Sequence, residues 1–178
     1  MPGVIGHMKA KIRRGGIVAA LIALASCGGT PPFVVGRPTL PDSLDGLALT
    51  QSASGEEAQR LIASLHPGPL APAESEVGFY ASGDDRAVLY VSRFPSADTA
   101  QAQLRLMSAI IGRGRAGFGH HTETEIGGTV VHAALSQGRA HFFFTRDREV
   151  MWLAADPETA RGALAQLLGV PADSLPGS

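Results

Sequence analysis

With 178 residues, 44% of them hydrophobic, the chain has room for one domain with a core of its own plus a targeting segment. Its net charge of −1 hides an asymmetry. Four of the 15 basic residues (Lys9, Lys11, Arg13, Arg14) precede Cys27 and no acid does, so the remainder carries 11 basic against 16 acidic side chains, which excludes the basic footprint of a nucleic-acid binder. The single cysteine excludes an intrachain disulfide, and in an exported chain it asks for another role.

That role is legible at the start of the chain. Residues 8–16 are positively charged and 17–25 are a run of nine apolar residues. Such a run is too short to span a bilayer, which takes about 20 residues, and has the length of the apolar region of an export signal. It ends in Leu24-Ala25-Ser26-Cys27: a branched apolar residue, two small ones, then cysteine. This resembles the lipobox of bacterial lipoprotein signal peptides. The resemblance covers the first 27 residues. It implies cleavage between Ser26 and Cys27, diacylglycerol in thioether linkage to Cys27, and anchoring of the exported chain to a membrane. Gly28 rather than Asp after the cysteine implies the outer membrane in a cell that has two. Arg13-Arg14 hints at twin-arginine export, but Ile12 and Gly16 depart from that pattern and favour the general secretory route. Two acyl chains are what stable anchoring needs. The signal peptide is then 1–26, and 27–41 reads as a Gly- and Pro-rich tether reaching roughly 20 Å. A single domain follows over 42–170 and a tail over 171–178.

Within the domain, a helix is expected over 55–65. Ser54 and Glu57 form a capping box, and Ala58, Leu61, Ile62 and Leu65 form one apolar stripe. The prolines from His66-Pro67-Gly68-Pro69 onward end it. Strands over 77–81 and 87–94 flank the turn Gly83-Asp84-Asp85. Ser96 caps a helix over 97–111 whose buried positions are Ala100, Leu104, Met107 and Ile111, with Gly112 as its C-cap. Four strands follow, over 120–126, 129–136, 139–145 and 149–154. Links as short as Gly127-Gly128 and Gln137-Gly138 pair them antiparallel in sequence order. Asp156 and Pro157 start a last helix that ends near Leu168 with Gly169 as cap, and Ala160, Ala163, Leu164 and Leu167 face the sheet. The result is an α+β domain of order α-β-β-α-β-β-β-β-α, an antiparallel sheet of about six strands with three helices. Val88-Leu89-Tyr90-Val91 leading to Pro95 matches Val150-Met151-Trp152-Leu153 leading to Pro157. The match is compatible with a duplicated, ferredoxin-like arrangement.

No familiar catalytic motif stands out. Gly112, Gly114 and Gly117 spell G-x-G-x-x-G, but a helix precedes the motif and a strand follows, the reverse of what phosphate binding needs, so it reads as a connector. Ser92 and Ser96 lack a partnered base, Asp84 and Asp85 are turn residues, and His141 sits among Phe142, Phe143 and Phe144 as a sheet histidine. Alternation on a strand places His121, Glu123 and Glu125 on one face with His120 on the other, and His132 on the next strand can join them. His121, Glu123 and His132 are therefore the candidate metal ligands, since imidazole and carboxylate suit zinc or iron. The competing explanation is a polar edge strand protected against aggregation. The strands over 139–145 and 149–154 are apolar on both faces, whereas an antiparallel sheet usually wets one. Unless helices cover both faces, an aromatic strip holding Phe143 with Trp152, or Phe142 with Phe144, is expected to be exposed and to serve as a binding surface.

The sequence therefore points to a non-catalytic, lipid-anchored binding or accessory domain of the bacterial cell envelope that needs no cofactor. Its partner is an envelope protein, a small ligand or a second copy. The alternatives are a metal-dependent hydrolase built on His121, Glu123 and His132, and a purely structural envelope component.

Overall fold

The computed structural model describes residues 40–65, 72–114 and 117–176. The export signal, Leu24 to Cys27 and the tether as far as Thr39 lie outside the described residues, as does the loop starting at His66. Among the described residues, no helix is long and apolar enough to cross a membrane.

The fold is α+β, with one antiparallel sheet of eight strands and three helices. In chain order the elements are β1 (Ser43–Leu44), β2 (Leu47–Ser54), α1 (Gly55–Leu65), β3 (Glu74–Ser82), β4 (Asp85–Arg93), α2 (Ala97–Gly112), β5 (Gly119–Ile126), β6 (Thr129–Ser136), β7 (Arg139–Arg146), β8 (Glu149–Ala155) and α3 (Pro157–Leu168), followed by a short 3-10 turn (Ala172–Ser174). Two strands exceed the sequence expectation. β1 and β2 form a hairpin at Asp45-Gly46, both with positive φ. Their sequence is short, small and polar enough to hide the alternation.

Spatially the strands run β1-β2-β3-β4-β8-β7-β6-β5. Local hairpins explain every neighbour except β2 with β3, which are linked through α1, and β4 with β8, which join the two halves. At that seam Tyr90 lies opposite Trp152, the aromatic residue that stands five positions before Pro95 or Pro157 in each matching segment. The likeness ends at the strands. α2 packs with Phe143, Val150 and Trp152, whereas α3 packs with Leu89, Met151 and Leu153, whose side chains point the other way. A dyad relating two antiparallel neighbours would leave both helices on one face, so the arrangement is not a symmetric duplication.

One apolar cluster includes Leu44 of β1, Ile126 of β5 and Ala163 and Leu164 of α3. A flat sheet would hold its two edges roughly 34 Å apart at 4.8 Å per strand, and a helix is only about 10 Å wide. The sheet therefore curls around α3. The other face carries α1 over β2 and β3, with Ala53, Ala58, Ile62 and Val77 buried, and α2 over β7 and β8. Helices thus cover both faces, two on one side and one on the other.

Asp156 is the N-cap of α3, as expected, with Pro157 in the first turn. Its carboxylate makes no cap bond; it accepts from the Arg86 backbone N–H at 2.8 Å and from Arg139 Nε at 3.1 Å, tying β4 and β7 to the start of α3. Arg113, not Gly112, follows α2 as its C-cap, while Gly169 caps α3 in the left-handed conformation. On either side of these elements, Leu40 packs on the core, Pro41 accepts a hydrogen bond from the Tyr80 hydroxyl, and Leu175 is buried. Arg161 holds that last segment by donating to the carbonyls of Ala172, Leu175 and Pro176.

Candidate functional site

The aromatic strip is not a surface. Phe143, Phe144 and Trp152 are 0%, 1% and 6% exposed and Phe142 is partly buried. The expectation of an open face fails because three helices are enough to cover both sides: Phe143 and Trp152 lie beneath α2, and Phe144 lies in the core around α3.

Strand register assembles the richest chemistry beneath α2. Glu123 pairs with His132, His132 with Phe143, Phe143 with Trp152 and Trp152 with Tyr90, so five strands contribute one cross-sheet row. The rings touch along it. His132 stacks on Phe143 with centroids 5.1 Å apart and planes 12° apart, Phe143 meets Trp152 at 5.8 Å, and Tyr90 meets Trp152 edge-on at 6.5 Å. His141 and Phe118 flank the row, 5.0 Å apart. The Trp152 indole N–H donates to His141 Nδ1 at 3.0 Å. That nitrogen must carry a lone pair, so the ring is neutral with its proton on Nε2. Burial is the main force holding His141 below the ordinary histidine range, followed by an opposing backbone hydrogen bond at Ser136.

At the row's outer end, the structure brings together the three residues singled out as ligands and adds one that the sequence reading missed. His121 on β5 and His132 on β6 stack with centroids 5.7 Å apart. Ser108, on the inner side of α2, places its Oγ 3.2 Å from His121 Nε2 and 3.2 Å from His132 Nδ1. Glu123 Oε2 lies 3.5 Å from the same His132 Nδ1. The signal for Ser108 was present: it falls four residues after Leu104, on the buried stripe, where a hydroxyl needs a partner. His132 is buried and its pKa is lowered, by burial first, against an upward pull from Glu123 and a further downward push from His121.

This geometry limits the chemistry. A nucleophilic serine needs a base whose second nitrogen is oriented by an acid. Here hydroxyl and carboxylate both address Nδ1 of His132, so no relay forms through that ring. Among the described residues, no group of three His, Cys, Asp or Glu is arranged to hold a metal ion. A hydroxyl stands between the two imidazole nitrogens, and Glu123 reaches only one of them. The remaining candidates are dispersed. Ser96 caps α2, Ser92 is buried in β4, Asp84 lies in the β3–β4 turn and Asp85 begins β4.

Two other features bear on binding. Between α1 and α2, a cleft of about 20 Å3 is lined by Ile62, Tyr90, Gln103, Met107 and Trp152 among others. That is room for a single water, far below the roughly 300 Å3 or more of a small-molecule pocket. On the α3 face, Arg93 meets Glu149 at 2.6 Å and Arg146 meets the other Glu149 oxygen at 3.0 Å. Cross-strand pairing of Glu74 with Arg93, Arg93 with Glu149 and Glu149 with Arg146 gives a row of alternating charge that neutralises itself. No protein-family model, no curated protein and no solved structure matches the chain.

Proposed function

We propose that the chain is a lipid-anchored, extracytoplasmic binding or accessory domain of the bacterial cell envelope, acting without catalysis of its own. The observation that carries this reading is the segment Leu24-Ala25-Ser26-Cys27 closing a nine-residue apolar run behind a basic start. The arrangement beneath α2 favours binding over catalysis. Its polar groups satisfy one another, and Ser108 lacks a base oriented by an acid. The cleft between α1 and α2 holds about one water, which favours a protein partner met at the outer surface, either an envelope component or a second copy.

The decisive experiment is the intact mass of protein extracted from membranes with detergent. The expected product begins at Cys27 and carries a diacylglyceryl thioether, and Cys27→Ala should leave the precursor uncleaved. A mature chain starting elsewhere, or an unmodified Cys27, overturns the anchoring. Cross-linking in intact membranes then separates a heterologous partner from a second copy.

A further inference from the structure

The bridge between Ser108, His121 and His132 has a property that a purely structural contact lacks: its hydrogen bonds depend on charge state. One hydroxyl offers one proton and two lone pairs. With both rings neutral, Ser108 donates to one imidazole nitrogen and accepts an N–H from the other, and all three groups are satisfied at 3.2 Å. With both rings protonated, both nitrogens donate and the hydroxyl proton loses its acceptor in the bridge. Two like charges then face each other with ring centroids 5.7 Å apart, against the apolar wall of Phe143. His132 is 5% exposed, so water does little to relieve them.

The surrounding charges do not cancel the pair. β5 supplies Glu123 and Glu125, β6 adds no titratable group beyond His132, and β7 supplies His141, whose Nδ1 already accepts from Trp152. α2 supplies Arg105 and Arg113, both exposed, which add positive charge. Glu123 lies beside His132 but is largely in solvent, and Glu125 is exposed as well, so water screens both carboxylates and they offset the pair only weakly.

The position is one where a small cost has a local effect. β5 is an edge strand with an irregular register between Gly119 and Thr122, where His120 adopts a positive φ. The end of α2 approaches it closely. A Cβ added at Gly112 would lie 3.2 Å from His121 Nδ1, so helix and ring meet without a side chain between them. Apart from the bridge, Met107 and Ile111 fasten this end of α2 to the cluster around Phe143.

We infer that the Ser108-bridged histidine pair is an acid-released latch: it fastens the last turns of α2 to β5 and β6 at neutral pH and lets that seam open when both rings are protonated. Opening uncovers Phe143 with the inner side of α2 and leaves the α3 face closed. Histidine is the side chain that changes charge in this range, and the lowered pKa of His132 is what a closed latch favouring neutral rings requires.

The test is peptide-resolved hydrogen exchange on the full-length chain in detergent at pH 7.5 and 5.5, corrected for intrinsic exchange. The latch requires protection over 104–114 and 119–135 to fall at least about tenfold at the lower pH, the factor for one proton taken up a unit below the free histidine value, while 157–168 changes less than about twofold. Uniform change, or none, overturns it. His121→Gln keeps an amide that can bond Ser108 but cannot be charged, and it should stay closed at pH 5.5; opening as in the parent overturns the latch. Ser108→Ala gives an independent reading should the first variant not fold. It should already be open at pH 7.5, and full protection there is the contrary result.

Discussion

Alternate residues of the same strands build the two faces of this sheet, yet the faces differ in kind. Toward α3 the interior is aliphatic and aromatic, with Leu89, Leu153, Phe144, Ala163 and Leu164 in one cluster that both sheet edges enter, and the ion pairs of Glu149 sit at the end of the strands. Toward α2 the interior itself holds Ser108, His132, His141 and the Trp152 indole in hydrogen bonds. The first face is held by area removed from water, which is indifferent to pH. The second is held partly by groups that titrate, so its packing depends on the solution.

Truncating one large side chain on each face gives the strongest test of that contrast. Phe143→Ala should lose about 3–5 kcal/mol and Leu153→Ala about 2–5 kcal/mol, since both are fully buried. Urea unfolding at pH 7.5 and 5.5 measures both. The expected difference is that Leu153→Ala keeps the parent's pH dependence, whereas Phe143→Ala, which removes the wall behind His132, changes it. A Gly78→Ala variant probes the α3 face alone. Its new Cβ would fall 2.8 Å from the ring of Tyr80, a side chain 1% exposed and held by Pro41, so overpacking should cost about 1–3 kcal/mol, visible as a lower urea midpoint at either pH.

The pH dependence itself comes next in size. The native pKa values of His132 and His141 are lowered, chiefly by burial. The stability each contributes is therefore complete above the unfolded value of about 6.5 and is lost as pH falls toward the native one, at most about 1.4 kcal/mol per pH unit for each ring. Unfolding free energies from pH 8 to 5 should fall below pH 6.5, and His132→Gln should flatten the curve. The smallest expected effect is at the start of α2. Ser96 Oγ accepts from the Thr99 N–H at 3.2 Å, and Ser96→Ala should cost about 1 kcal/mol, read as a small downward shift in the urea midpoint.

Much of the α2 face could be read in advance. The buried stripe Ala100, Leu104, Met107 and Ile111 is the one observed, because a 3.6-residue period leaves a single way to hide apolar side chains. His121, Glu123 and His132 lie near one another, because alternation along β5 and a two-residue hairpin to β6 constrain them locally, although among the described residues they form no metal-holding group. Ser108 was missed because its partners lie 13 and 24 residues away, on strands whose distance from α2 no local pattern encodes. Asp156 does cap α3, but its carboxylate accepts from Arg86 and Arg139 on distant strands and not from the helix's own first N–H groups, a choice that no local pattern encodes.

The sequence by itself determined the helices, six of the eight strands and the hairpins between them, since periodicity, Gly-containing turns and helix caps act over a few residues. The basic start, the apolar run and the segment ending at Cys27 are equally local features. Only the tertiary structure decided that β4 pairs with β8, that the sheet curls until its two edges share one core, and that α2 and α3 take opposite faces. Those outcomes turn on which apolar surfaces meet across long stretches of chain, and burial has no direction that a short window of residues can record. Covering both faces turned an expected aromatic surface into core, and the same packing enclosed His132 with Ser108 and His121 beneath α2.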